Sequence, residues 1–338
     1  METISMNGRI NYIDSAKGAC MFLVVMVHTG VPEPLPNIYE LDVPAFFVLS
    51  GYFFNTGGRL RDFLRKKSYR LILPFLLFYL LSYAVYYALL LLYPPVATMT
   101  EASGILDCLT QKAWFNGPLW FLPCLFWIQL LTFLLARLPG GIVAELTASL
   151  ALAAVGLLLG RYSVFLPLAF DTALTSLPYF LAGRMFRQTS IFNAGHNVTI
   201  VISLATILLW GFSGDFSIGL STNSYDVNLL VMYLLPCLFV LMLTLLAKHL
   251  LQPWERLLPF IGRHTIFVLC THHLVYRPVK LVLSHFVGSP EESLLTFFVT
   301  MLLCLLAAPL AERHLPWLLG CTRPSDSEHS MLITNNRA

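Results

Sequence analysis

Ten apolar stretches, each near the length that crosses a bilayer, run through this chain and leave few ways for it to fold. A helix needs about 20 mostly apolar residues to cross about 30 Å of hydrocarbon. Lipid offers no partner to a free backbone amide, so such stretches must close their hydrogen bonds internally as helices. Breaks at polar, Pro or Gly residues delimit 15–32, 41–57, 70–93, 115–136, 141–160, 165–185, 197–213, 228–248, 260–282 and 293–312. The sixth is the least continuous, being interrupted by Pro167, Asp171 and Pro178. The expectation is an all-α, polytopic membrane helix bundle of about ten transmembrane helices. Composition agrees: 57% of the residues are hydrophobic and 12% charged, where a soluble domain carries about 25% charged residues. The partner this implies is the lipid bilayer. A net charge of +3 is too small to point to nucleic acid.

Orientation follows from where the cations fall, since cytoplasmic loops carry the excess of Lys and Arg. With the N-terminus inside and ten crossings, all of the 21 Lys and Arg fall on the cytoplasmic side except Lys112, Arg161, Arg277 and Lys280. Both termini are then cytoplasmic. Basic residues precede the apolar run from Gly18 to Val27, but no small-residue cleavage pattern follows, so this is read as a retained first helix. The seven cysteines are scattered without a CxxC pair and suggest neither a disulfide framework nor a zinc site. The expected organisation is one transmembrane unit, 1–320, with a short disordered cytoplasmic tail, 321–338.

Ionisable side chains within spans are costly, by about 2.5–3.5 kcal/mol each on insertion scales, and so invite a functional hypothesis. The first helix holds three: Asp14, Lys17 and His28. At about 100° per residue they share one face, with His28 roughly 16 Å deeper along the axis than Lys17. A neutral imidazole there suits a general base for a hydroxyl, and a hydrogen-bonded packing histidine is the bland alternative. The ninth stretch holds His272 and His273 side by side, and His272 lies roughly 13 Å along the helix from Arg263, a depth comparable with that of His28. Histidines at matching depth on two helices suggest a shared cavity. Asp14 is too shallow to complete a ligand set, so no metal site is expected.

Two further segments carry information. In the second stretch, Ser50-Gly51 within an aromatic run allows close helix approach. Between the second and third stretches, Arg59, Arg61, Arg65, Lys66, Lys67 and Arg70 cluster ahead of Pro74. They can anchor the topology on anionic lipid or form a cationic mouth for a phosphate-bearing cofactor, with Arg184 and Arg187 as possible contributors.

Five motifs occur in order: Lys17-x10-His28; Pro44-Ala-Phe46-Phe47-Val-Leu-Ser50-Gly51-Tyr52; Lys67-Ser-Tyr-Arg70 with Pro74; Gly117-Pro118-Leu119-Trp120-Phe121-Leu122; and Gly262-Arg-His-Thr-Ile-Phe-Val-Leu-Cys-Thr-His272. Together they resemble the acyltransferase-3 family of integral membrane O-acyltransferases, which includes fucose 4-O-acetylase-like enzymes and cell-envelope polysaccharide acetylases. The family pattern has Arg-x-x-Arg where this chain has Lys67-x-x-Arg70, and a single histidine where two stand here, with the spacing favouring His272. The resemblance implies acetyl-CoA as the donor co-substrate, with no permanently bound cofactor. It implies an envelope glycan or lipid-linked sugar as acceptor, and a bacterial cytoplasmic (inner) membrane location. It also implies His28 as general base, Lys17 oriented by Asp14 near the donor, His272 in support, and Arg65, Lys67 and Arg70 on the donor phosphates. A variant has His28 transiently acylated. The competing classes are a transporter or flippase of a lipid-linked sugar and a non-catalytic scaffold.

Overall fold

In the computed structural model, which describes residues 11–92, 106, 116–250 and 256–320, a helix occupies each of the ten apolar stretches. They are α1 (Asn11–Thr29), α2 (Asp42–Tyr52), α4 (Leu73–Leu92), α5 (Phe121–Leu135), α6 (Gly141–Arg161), α7 (Phe170–Thr189), α8 (His196–Phe212), α9 (Leu229–His249), α11 (Thr265–Leu283) and α12 (Glu291–His314). Two short helices, α3 (Leu60–Lys67) and α10 (Leu257–Arg263), sit between them. Arg9, Lys112 and the tail 321–338, which entered the topology argument, lie outside the described residues.

Among the described residues six helical segments are long and apolar enough to cross a membrane, which makes this a multi-pass membrane protein but does not confirm the expected count of about ten. The other four fall short for separate reasons. The apolar run of α1 is diluted by Asp14, Lys17 and His28, and that of α7 by Asp171, Arg184 and Arg187. Helix α2 has only 11 residues and α8 only 17. Leu150, Leu158, Ile200, Ile207, Leu306 and Leu310 point outward from α6, α8 and α12, as expected of a surface solvated by acyl chains.

The polar first helix is wrapped by the rest. It packs on α2, α9, α10, α11 and α12, and glycines set how closely. A Cβ on Gly18 would land on the Leu258 carbonyl, and one on Gly262 on the Asp14 carbonyl. The same reciprocity joins α2 to α7: Gly51 faces the Phe180 carbonyl and Gly183 the Val48 carbonyl. Small residues at such crossings let backbones approach where no hydrophobic force acts between helices. The close approach expected of Ser50-Gly51 is thus made against α7.

The basic segment enters α4 through a π turn, Ser68–Ile72, closed by a hydrogen bond from the Leu73 amide to the Ser68 carbonyl. Pro74 causes it: proline has no N–H to give the carbonyl four residues back, and its ring crowds that carbonyl, so the turn widens. Such bulges re-aim side chains, here Arg70.

At the far end of the bundle a hairpin absent from the all-α reading closes over the helices. Strands β1 (Ser217–Gly219) and β2 (Ser224–Asp226) pair antiparallel, with Ile218 opposite Tyr225. Buried Asn223, at φ 49°, anchors it. Its amide donates to the Gly156 carbonyl (3.1 Å), and its Oδ1 accepts from Thr175 (3.0 Å) and Tyr225 (2.7 Å).

Gly183→Val should lower the thermal midpoint of the protein in lipid or detergent, since overpacking costs about 1–3 kcal/mol or more where a backbone must move. Gly211→Ala, inside α8 and meeting no neighbour within 4 Å, should leave the midpoint unchanged or slightly raised.

Candidate functional site

Helix α1 sets the axis of the site. Near its start Lys17 is half-buried, with its Nζ 3.5 Å from the Asp14 carboxylate and 4.3 Å from the centre of the Phe53 ring. Eleven residues on, in the last turn of the helix, stands His28. Both side chains line a cavity of about 780 Å³. At the Lys17 end, Lys67 and Arg70 share the lining; around the middle it is apolar, with Met21, Val24, Phe46 and Leu269. At the other end come Tyr39, Glu40 and the hairpin residues Gly219–Thr222. One cavity therefore joins the basic end of the bundle to the hairpin end and passes His28 on the way.

The imidazoles have a defined arrangement. His28 Nδ1 lies 2.6 Å from the Val24 carbonyl and His272 Nδ1 lies 2.7 Å from the Val268 carbonyl. A carbonyl can only accept, so in each case Nδ1 carries the proton and the neutral ring keeps its lone pair on Nε2. The ring of His28 meets His272 edge-on at 5.1 Å and His273 at 4.6 Å between centroids. Both are buried, and His272 Nε2 has no hydrogen-bond partner among the described residues. The chain thus brings His28 and His272 together, as their matching depths suggested. It also adds His273, which spacing alone had set aside.

The Gly117–Trp120 turn abuts these histidines. Buried Asn116 donates to the Cys270 carbonyl (2.8 Å) and to Ser82 (3.0 Å). This ties the turn to α11 two residues before His272. A Cβ on Gly117 would stand 3.5 Å from His273, an ordinary van der Waals distance, so the turn lies directly against that ring.

Other expected site residues are dispersed. Arg65 is exposed and lies off the cavity, whereas Lys67 and Arg70 are on it. Asp14 reaches the cavity only through Lys17. Arg184 corrects an expectation: it is not at the basic mouth but in a buried ion pair with Glu145 of α6. Arg187 is exposed and also off the lining.

Sequence reasoning missed Tyr39, Glu40 and Gln129 on the wall. Glu40 accepts a hydrogen bond from the Ile218 amide, fastening the hairpin to the loop after α1. Burial, with help from Glu33, pushes its carboxyl above the usual range although that hydrogen bond works the other way. Gln129, a lone amide in apolar α5, was a signal available in the sequence. Tyr39 and Glu40 were not, because their placement depends on the tertiary path of a loop.

A family model described as an acyltransferase domain matches residues 10–309. No curated protein and no solved structure matches the chain.

Breaking a buried ion pair from one side strands the other charge, at about 3–5 kcal/mol, whereas removing both charges is far cheaper. Arg184→Met should therefore lower the thermal midpoint sharply, and adding Glu145→Gln should recover most of the loss in the same melting experiment.

Proposed function

The chain belongs to the acyltransferase-3 family, and from that premise we propose that it moves an acetyl group from cytoplasmic acetyl-CoA to a hydroxyl of a cell-envelope sugar or polysaccharide. The observation that carries this reading is the cavity joining Lys17, Lys67 and Arg70 to Tyr39 and Glu40 past His28. Donor and acceptor can approach one base from opposite ends of such a cavity. The excess of cations at the end bearing α3 supports placing that end in the cytoplasm. With it go cytoplasmic termini, ten crossings and a bacterial inner-membrane location.

In the proposed reaction Lys67 and Arg70 hold the nucleotide phosphates, the arginine by its planar fork and the lysine as a point charge. The pantetheine arm extends along the apolar wall, bringing the thioester to His28. Lys17, oriented by Asp14, supplies positive charge near the donor. His28 Nε2, which keeps its lone pair because Nδ1–H is committed to Val24, takes the proton from the acceptor hydroxyl as oxygen attacks the thioester carbon. The C–S bond breaks, CoA leaves as the thiolate and is protonated, and the ester remains on the sugar. His272, against the ring edge, holds the imidazole in its cavity-facing orientation.

A cavity reaching both ends also suits a transporter or flippase of a lipid-linked sugar. Consumption of acetyl-CoA separates the two readings.

Purified protein in lipid should transfer labelled acetyl from acetyl-CoA to an envelope glycan. His28→Ala should cut the rate by at least about 100-fold with folding intact by melting and gel filtration; retained transfer in that variant would overturn His28 as base. Arg70→Ala removes a hydrogen bond to a charged group, about 1.5–3 kcal/mol. It should raise the KM for acetyl-CoA by about tenfold or more with the KM for the acceptor unchanged.

A further inference from the structure

The base reading uses one imidazole and leaves the others with supporting roles. Yet His28, His272 and His273 each offer a ring nitrogen, and these nitrogens all lie within 4.8 Å of one another. Around a shared tetrahedral zinc, with Zn–N near 2.0–2.1 Å, ligand nitrogens stand about 3.3 Å apart. Small ring rotations close that gap. Two of the three donors are already set for ligation. The Nδ1–H groups of His28 and His272 are held by backbone carbonyls, the arrangement that aims Nε2 at a metal in zinc sites. The buried His272 Nε2 has no hydrogen-bond partner among the described residues.

The geometry points to a three-imidazole site for a borderline transition-metal ion, Zn²⁺ or its spectroscopic substitute Co²⁺, formed by His28, His272 and His273. The donor set selects the metal: it has three nitrogens and no carboxylate, which suits zinc, cobalt, nickel or copper and not Mg²⁺ or Ca²⁺. Arg277, one turn beyond His273 on α11 and close enough to act on His28, repels any cation, so binding depends on the three metal–nitrogen bonds. Because His28 lines the cavity, the ion enters by the substrate path and keeps its fourth position facing the cavity.

Ligation takes the lone pair of His28 Nε2, the same pair that accepts the acceptor's proton in the proposed reaction. Bound zinc and base catalysis are therefore mutually exclusive, and zinc acts as a reversible inhibitor. This consequence rests on His28 being the base; the binding does not.

The test is titration of the full-length protein in lipid nanodiscs with Co²⁺ and Zn²⁺, which needs no turnover. One equivalent of Co²⁺ should bind with intense visible ligand-field bands of tetrahedral coordination, and Zn²⁺ should displace it. His28→Gln and His273→Gln should each weaken binding at least tenfold, whereas His249→Ala should not. That control removes one member of a separate imidazole pair, His196 with His249, whose ring centroids are 4.2 Å apart. No stoichiometric binding, or binding retained in the first two variants or lost in the third, would overturn the site. If the site binds and zinc-loaded protein still transfers acetyl at the full rate, only the inhibitory role fails.

Discussion

A helix that carries Asp14, Lys17 and His28 cannot be turned toward acyl chains, and much of the architecture follows from hiding it. Charged and strongly polar groups in a bilayer must face the interior of a bundle or a hydrated cavity. Helix α1 is accordingly ringed by α2, α9, α10, α11 and α12, and the cavity runs along its polar face. Close wrapping needs small residues, and Gly18 and Gly262 sit where any side chain would strike a backbone carbonyl. The outward faces of α6, α8 and α12 are apolar, as acyl chains require of the surface they solvate.

The helical elements were largely legible because apolar run length is a one-dimensional property. What was not legible was which of them would meet the full length and hydropathy of a crossing. Helix α2 ends after Tyr52 with only 11 residues, where the sequence reads as apolar from 41 to 57. The Asn223-anchored hairpin was invisible too, because its stability comes from Thr175 and Gly156 on other helices and not from strand propensity. A short pair of three-residue strands leaves no periodic pattern to find.

Within the site, depth arithmetic was the most productive tool. A fixed rise per residue placed His28 and His272 at comparable levels, and their rings meet. Azimuth was less informative. His272 and His273 are about 100° apart on a helix, yet both reach His28 because α1 packs between their directions. The basic segment divided in a way no spacing rule foresaw: Arg70 reaches the cavity from the π turn forced by Pro74 and Lys67 from the last residue of α3, while Arg65, two residues earlier on that helix, faces out. Arg184 looked like another cation for the same mouth until Glu145, 39 residues away in sequence, claimed it.

The proposed chemistry depends on donor and acceptor meeting at one imidazole from opposite ends of the cavity. A structure of the protein with CoA bound in lipid addresses this most directly. The expected density has the nucleotide phosphates on Lys67 and Arg70, the pantetheine arm along Met21, Val24 and Leu269, and the sulfur beside His28. Nucleotide density at the Tyr39–Glu40 end, or a thiol directed away from the histidines, would contradict it.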